Sequence, residues 1–228
     1  VEIIHCGGGN RRFAETAISA GFRYGARLPD TVYAPLYFAD QEFKDPDRDA
    51  YMAALAEHRP RLATVLDWQK PGQLDEVLGW AEDAARFVDV IVIVPKVVGG
   101  IPRLPRTIGG RPVRLGYSVP TRYAGTPVPV WEFTGWPVHL LGGSPQKQME
   151  MTLYLDVRSA DSNYAQKMAT KYCQFWTPGN ARYAKNRYWP TLREADGKRW
   201  KGNAPYEAFR RSCANMRAAW DSFLGGEA

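Results

Sequence analysis

Asp40, Asp67 and Asp161 each close a short strand-like run, apolar before the first two, and this repetition is the strongest chemical signal in the chain. Asp40 follows Leu-Tyr-Phe-Ala, Asp67 follows Ala-Thr-Val-Leu, and Asp161 follows Val-Arg-Ser-Ala. A carboxyl at the end of an apolar strand meets a hydrophobic wall that can raise its pKa above the ~3.9 reference. Asp161 is followed by Ser162 and Asn163 at the start of a predicted helix, and helix N-termini favour the anion. One ionised and one partly protonated carboxyl are what glycosyl transfer needs, as nucleophile and as general acid/base. Singly, each has a plainer reading, Asp161 as an N-cap and Asp40 and Asp67 as turn formers. Three in equivalent positions favour the chemical reading.

Other motifs are weaker. Gly142-Gly143, in His-Leu-Leu-Gly-Gly-Ser-Pro, lets a flat ligand approach the backbone and leaves N–H and C=O groups available at the following helix start, with a phosphate site as the rival reading. Gly7-Gly8-Gly9 lacks the Gly-Lys-Ser/Thr of a phosphate loop and reads as a tight strand-to-helix turn. His5, His58 and His139 have no metal-ligand spacing, and His139 reads as a hydrogen-bonded core residue. Cys6, Cys173 and Cys213 stand too far apart for a disulfide framework or zinc knuckle. No metal or cofactor is expected.

The elements that must position these groups follow from periodicity. Strand-like runs at 1–5, 35–40, 63–67, 88–96, 113–118, 138–142 and 157–161 alternate with amphipathic stretches at 12–20, 48–58, 74–87 and 145–153. Further helices are expected at 163–172 and 206–223. Asp47 and Ser144 are N-cap residues, and the Gly/Pro-rich stretches 97–111 and 120–137 read as loops. Alternation of this kind implies a mainly parallel sheet, open or closed. The strands end in Asp40, Asp67, Lys96, Ser118, Gly142-Gly143 and Asp161, which a closed barrel would gather around one mouth. The expected fold is therefore α/β, a compact or incomplete (β/α)8 TIM-like barrel in a single domain over 1–228, with an eighth strand concealed in 21–27.

The chain has 228 residues, 45% hydrophobic, enough for a sizeable core and against disorder as the dominant state. The longest apolar run, 88–95, is broken by Asp89 and too short to span a bilayer. A soluble, cytoplasmic protein of a bacterial or phage-infected host cell is expected, with no membrane partner and homodimerisation left open. The net charge of +6 is concentrated, because residues 166–217 carry 12 Lys+Arg against 3 Asp+Glu, a local +9. Lys185, Arg187 and Lys198 lie there among Tyr172, Phe175, Trp176, Tyr183, Tyr188, Trp189, Trp200, Tyr206 and Phe209. Cations for phosphates beside rings for bases suggest that 166–228 is a nucleic-acid-facing extension. A solvated basic face with core aromatics is the alternative.

The order of Phe38-Ala-Asp40, Thr64-Val-Leu-Asp67, Val92-Ile-Val-Pro95-Lys96, His139-Leu-Leu-Gly142-Gly143 and Ser159-Ala-Asp161-Ser-Asn163 resembles the tRNA-guanine transglycosylase superfamily. Within it, the phage 7-deazaguanine DNA transglycosylases are most similar. The resemblance spans roughly residues 36–165, with no single piece specific by itself. It implies exchange of guanine in a polynucleotide for a 7-deazaguanine such as preQ0. It also implies Asp161 as nucleophile at C1′, Asp40 as general acid/base, and Asp67 as the carboxylate reading guanine N1–H and the exocyclic amine. Gly142 and Gly143 would contact the base, with Lys96 and Ser118 beside them. The tRNA enzymes carry Ser-Gly-Gly-Phe-Gln after the first Asp, a Gln where Lys96 stands, and a C-terminal Cys/His zinc site. This sequence has none of these; the missing zinc module points to DNA as the polynucleotide, and the Lys96 change leaves that base contact open. An N-glycosidase, with water replacing the incoming base, and a catalytically silent nucleic-acid-binding protein are the alternatives.

Overall fold

The computed structural model describes residues 1–121, 125–178 and 189–225. Nine strands are present among them: β1 (Glu2–Cys6), β2 (Arg23–Leu28), β3 (Phe38–Gln41), β4 (Leu62–Thr64), β5 (Val90–Ile93), β6 (Thr107–Ile108), β7 (Arg111–Ser118), β8 (Pro137–Leu141) and β9 (Asp156–Ser162). All except β6 run parallel and close in the order β1-β2-β3-β4-β5-β7-β8-β9, with β9 returning to β1; β6 pairs antiparallel with β7 outside the ring. The fold is a complete, closed TIM-like barrel, so the incomplete variant is excluded. The eighth strand is β2. Its Gly25 faces the interior, where a Cβ would come within 3.0 Å of Ile4 and Phe38, so glycine there reflects a filled barrel.

Helices are economical. α1 (Arg11–Ser19), α2 (Arg48–His58), α3 (Leu74–Ala84) and α4 (Pro145–Met151) follow β1, β3, β4 and β8, whereas the other crossovers are loops with short 3-10 turns at Ile101–Arg103 and Val130–Phe133. Replacing helices by loops is what lets a short chain close an eight-stranded ring. Asp47 caps α2 by accepting from Ala50 N–H, and Ser144 caps α4 by accepting from Lys147 N–H, as their positions predict. β4 and β5 are shorter than their apolar runs. Pairing nevertheless continues irregularly through Val65 N–H to Val92 O, Trp68 N–H to Val94 O and Lys96 N–H to Trp68 O, which carries Asp67 and Lys96 to the rim.

After β9 come α5 (Tyr164–Tyr172), α6 (Leu192–Asp196) and α7 (Ala204–Gly225). Of the two readings open for the aromatic rings of this segment, burial in the core holds for most of the described ones. Phe175, Trp176, Trp189 and Phe209 are buried with Ile3, Phe13 and Trp220 in a core between β1, α1, α5 and α7. Apolar rings beside an uncovered barrel flank are removed from water more favourably by packing on it than by waiting for a ligand. Several basic residues are also engaged: Arg211 bridges Asp196 and Glu207 at 2.8 Å, and Arg210 pairs with Glu207 at 2.8 Å. Lys198 is exposed, with its ammonium 4.8 Å from the Trp200 ring centre. Lys185 and Arg187 lie outside the described residues. None of the described helices is long and apolar enough to cross a membrane.

Phe209 packs against His5 (centroids 4.8 Å apart) and Phe13 (5.3 Å), fastening α7 to β1 and α1. Phe209→Ala is expected to destabilise the whole domain by about 3 to 5 kcal/mol in a single cooperative urea transition. An early, separate transition for α7 would instead make the C-terminal helices an independent appendage.

Candidate active site

The C-terminal ends of the eight parallel strands form the mouth, and strand parity decides which side chains enter it. On β3 the inward residues are Phe38 and Asp40, and on β4 Thr64 lies beside them. Asp40 Oδ1 accepts from Thr64 Oγ1 at 3.0 Å and from the Gln41 N–H at 3.1 Å, which fixes the carboxyl against the β3–β4 seam. These bonds favour the anion, yet they are outweighed. Burial against the barrel wall, together with the neighbouring charge of Asp161 and then of Asp67, pushes Asp40 up to about 7.

Asp161 reaches the mouth through an irregularity that strict alternation does not contain. Val138 pairs with Val157 but His139 pairs with Ser159, so one extra residue, Arg158, is accommodated on β9. Val157 faces the outer core and Ser159 and Asp161 face inward, the last beside the inward Ile4 of β1. A bulge that re-aims side chains in this way is a recurrent feature beside active sites. The Asp161 backbone carbonyl accepts from Gly142 N–H at 3.1 Å and from Gln148 Nε2 at 2.7 Å, and its carboxyl is only 9% exposed. His139 Nε2 stands 3.3 Å from Asp161 Oδ1.

Asp67 is half-buried at the rim, and burial raises it to about 6 against the attraction of Lys96. Lys96 is lowered by its own burial, with Asp67 opposing the shift. Its Nζ donates to Ser118 Oγ at 2.5 Å and to the Gly125 carbonyl at 3.0 Å. Lys96 therefore fastens the loop after β7 and has one donor left for a ligand. The Gly142-Gly143 pair makes the left-handed turn out of β8, with φ of 68° and 84°, and a Cβ on Gly143 would fall 2.6 Å from Val119. Much of its backbone is already engaged within the protein: Gly142 N–H serves Asp161, Gly142 C=O accepts from Gln148, and Gly143 C=O accepts from Ser162 Oγ at 3.1 Å, which leaves one lone pair on each carbonyl for a base. Three of the four backbone groups thus hold β9 and α4 in place.

The barrel gathers Asp40, Asp67, Lys96, Ser118 and Asp161 at one end, as the strand-end pattern anticipates. It adds Thr64, Cys6, His139 and Gln148, which the sequence did not single out for the site. Cys6 is buried and its thiol is held well up by that burial, with the negative field of Asp161 and Asp40 adding to it. A thiol kept neutral in this way adds no further negative charge near the two carboxyls. Among the described residues, no group of three or more His, Cys, Asp or Glu is placed to hold a metal ion. The arrangement sets the buried Asp161 side chain near an Asp40 carboxyl that is held at about 7. That combination suits attack at an electrophilic carbon with protonation of the leaving group.

Because Asp40 keeps a proton in the folded chain that the unfolded chain has released between about pH 4 and 7, stability falls as pH rises through that window. Asp40→Asn is therefore expected to match the parent near pH 4 and to exceed it by about 2 to 4 kcal/mol at pH 8 in urea unfolding. Equal stability at pH 8 would mean that Asp40 ionises freely.

No curated protein matches the chain significantly. Residues 14–221, nearly its whole length, match the model described as a family of unknown function, DUF6610, and the chain belongs to that family.

Proposed function

We propose that the protein is a transglycosylase that exchanges guanine in DNA for a 7-deazaguanine base such as preQ0. The observation that carries this reading is the pairing, at one barrel mouth, of the buried Asp161 carboxylate with an Asp40 carboxyl held at about 7. In the first half-reaction Asp161 attacks C1′ as the C1′–N9 bond breaks, its electrons pass to the departing guanine, and Asp40 supplies the proton. In the second, Asp40 as carboxylate takes the N9 proton of the deazaguanine, a new C1′–N9 bond forms, and Asp161 is released. Asp67 accepts from the two donors on the Watson–Crick edge of guanine, with Lys96 and Ser118 beside it. The motif resemblance supports the same assignment.

Access from DNA is consistent with the charge at the mouth. Arg11 and Arg12 open α1 directly after the Gly7-Gly8-Gly9 turn, and Arg12 donates to Asn203 Oδ1 at 2.9 Å, which brings the start of α7 and the preceding Lys201 to the same end of the barrel. Arg11, Lys198, Arg199 and Lys201 are exposed. A cationic rim can hold phosphates while the target nucleotide is extruded into the mouth.

The deciding experiment is nucleoside mass spectrometry of DNA incubated with the protein and preQ0. Incorporation is expected with the parent and is lost in Asp161→Ala, with DNA affinity retained; guanine released without incorporation would make the protein an N-glycosidase, and no reaction would leave only binding. Asp67→Ala is expected to erode preference for guanine over adenine by about 1 to 3 kcal/mol per lost hydrogen bond. Combined Arg11, Lys198 and Lys201 to Ala changes should flatten the log–log salt dependence of DNA binding by about 2 to 3. An unaltered slope would mark the rim as a solvated face.

A further inference from the structure

The barrel interior is not filled by apolar side chains alone. Arg114 on β7 donates from Nη1 to Ser159 Oγ at 2.6 Å, and Ser159 Oγ lies 2.6 Å from His139 Nδ1. His139 is fully buried and its ring packs against Phe38, with centroids 4.5 Å apart. Its Nε2 and Asp161 Oδ1 stand 3.3 Å apart, and both atoms are buried without a hydrogen-bond partner, so each is the nearest candidate for the other. Three polar side chains thus lead up the inside of the barrel and end on one carboxylate oxygen.

Hydrogen-bond polarity sets the direction of this chain. A guanidinium can only donate, so Ser159 Oγ accepts from Arg114 and has its single proton available for His139 Nδ1. An imidazole whose Nδ1 accepts carries its proton on Nε2, which is the nitrogen that faces Asp161. The opposite tautomer would set a nitrogen lone pair against a carboxylate oxygen 3.3 Å away, too close for a water to separate them. The β9 bulge places both Ser159 and Asp161 within reach of His139, because without the extra residue the two would face the outer core.

We propose that His139, held by Ser159 and Arg114, is a positioning residue that presents Nε2–H to Asp161 and fixes the orientation of its carboxylate. Oδ1 is thereby restrained, and Oδ2 is the oxygen directed toward an electrophile in the mouth. The catalytic part of this inference rests on the transglycosylase reading; the hydrogen bond does not. A carboxylate free to rotate would lose alignment with C1′, and misplacements of about 1 Å cost on the order of 100-fold in rate.

Two measurements test it together. In 15N-imidazole NMR of the whole protein, His139 is expected to carry a proton on Nε2 whose signal shifts in Asp161→Asn; a neutral ring protonated on Nδ1 would overturn the proposal without any variant of His139. In single-turnover exchange with preQ0, His139→Leu is expected to slow the reaction about 30- to 100-fold with the KM for DNA within about 2-fold, and His139→Gln, which restores an amide N–H near the Nε2 position, to recover to within about 5-fold. Ser159→Ala should cost less than His139→Leu and add nothing to it when combined. A folded His139→Leu protein with unchanged rate, or a His139→Gln protein as slow as the Leu variant, would overturn the positioning role. A parent protein that exchanges no base would sink the transglycosylase reading, and the NMR spectra would still decide the hydrogen bond.

Discussion

Asp40 and Asp161 repel one another in a mouth where neither is well hydrated, and much of the surrounding structure offsets that repulsion. Isolated buried carboxylates are too costly for a fold of marginal stability, so each must be neutralised, hydrogen-bonded or paired. The two are treated differently. Asp40 keeps two donors, Thr64 and the Gln41 N–H, but is pushed up to about 7 and so escapes full ionisation. Asp161 is approached by the imidazole of His139 and is held through its backbone by Gly142 and Gln148. Dissimilar surroundings for two similar groups are what separate an acid from a nucleophile.

The barrel interior reflects the same demand. Interiors of eight-stranded parallel barrels are commonly layers of branched apolar side chains. Here Ile4, Cys6, Phe38, Leu62 and Val92 form such a cluster, while the β7–β8–β9 side is given to Arg114, Ser159 and His139. Polar groups survive there because each meets another of the chain, from a guanidinium up to a carboxylate. The apolar packing next to them is equally tight at glycine. A Cβ on Gly116 would fall 2.7 Å from Val94 and 3.0 Å from Leu141, so nothing larger fits beside this column.

The C-terminal helices close the flank that a barrel with so few crossover helices leaves open. Trp176, Trp220 and Phe209 are buried there, and Asn10, from the turn after β1, donates to the Tyr206 hydroxyl at 3.0 Å. The strand carrying Asp161 pairs with β1, so packing that steadies β1 and α1 also steadies the position of Asp161. The same helices bring basic residues to the mouth end without exposing most of their aromatic rings.

The sequence by itself determined the α/β alternation, seven of the eight barrel strands within a few residues, the Asp47 and Ser144 caps and the convergence of strand-end polar residues. These follow from local periodicity and capping, which are properties of neighbouring residues. It signalled β2 only weakly, as the eighth strand expected in 21–27, because the inward positions are Arg23, Gly25 and Arg27 and the barrel-facing side carries no apolar residue. It left open whether the aromatic C-terminal segment faces a ligand or the core, because composition reports which rings are present but not which flank of the barrel is uncovered. Closure of the ring, the bulge at Arg158 and the contact of His139 with Asp161 were decided only by the tertiary structure. A bulge on β9 is set by its fit between β8 and β1, strands about 20 and 155 residues away in the chain, and no local pattern records a register that distant partners impose.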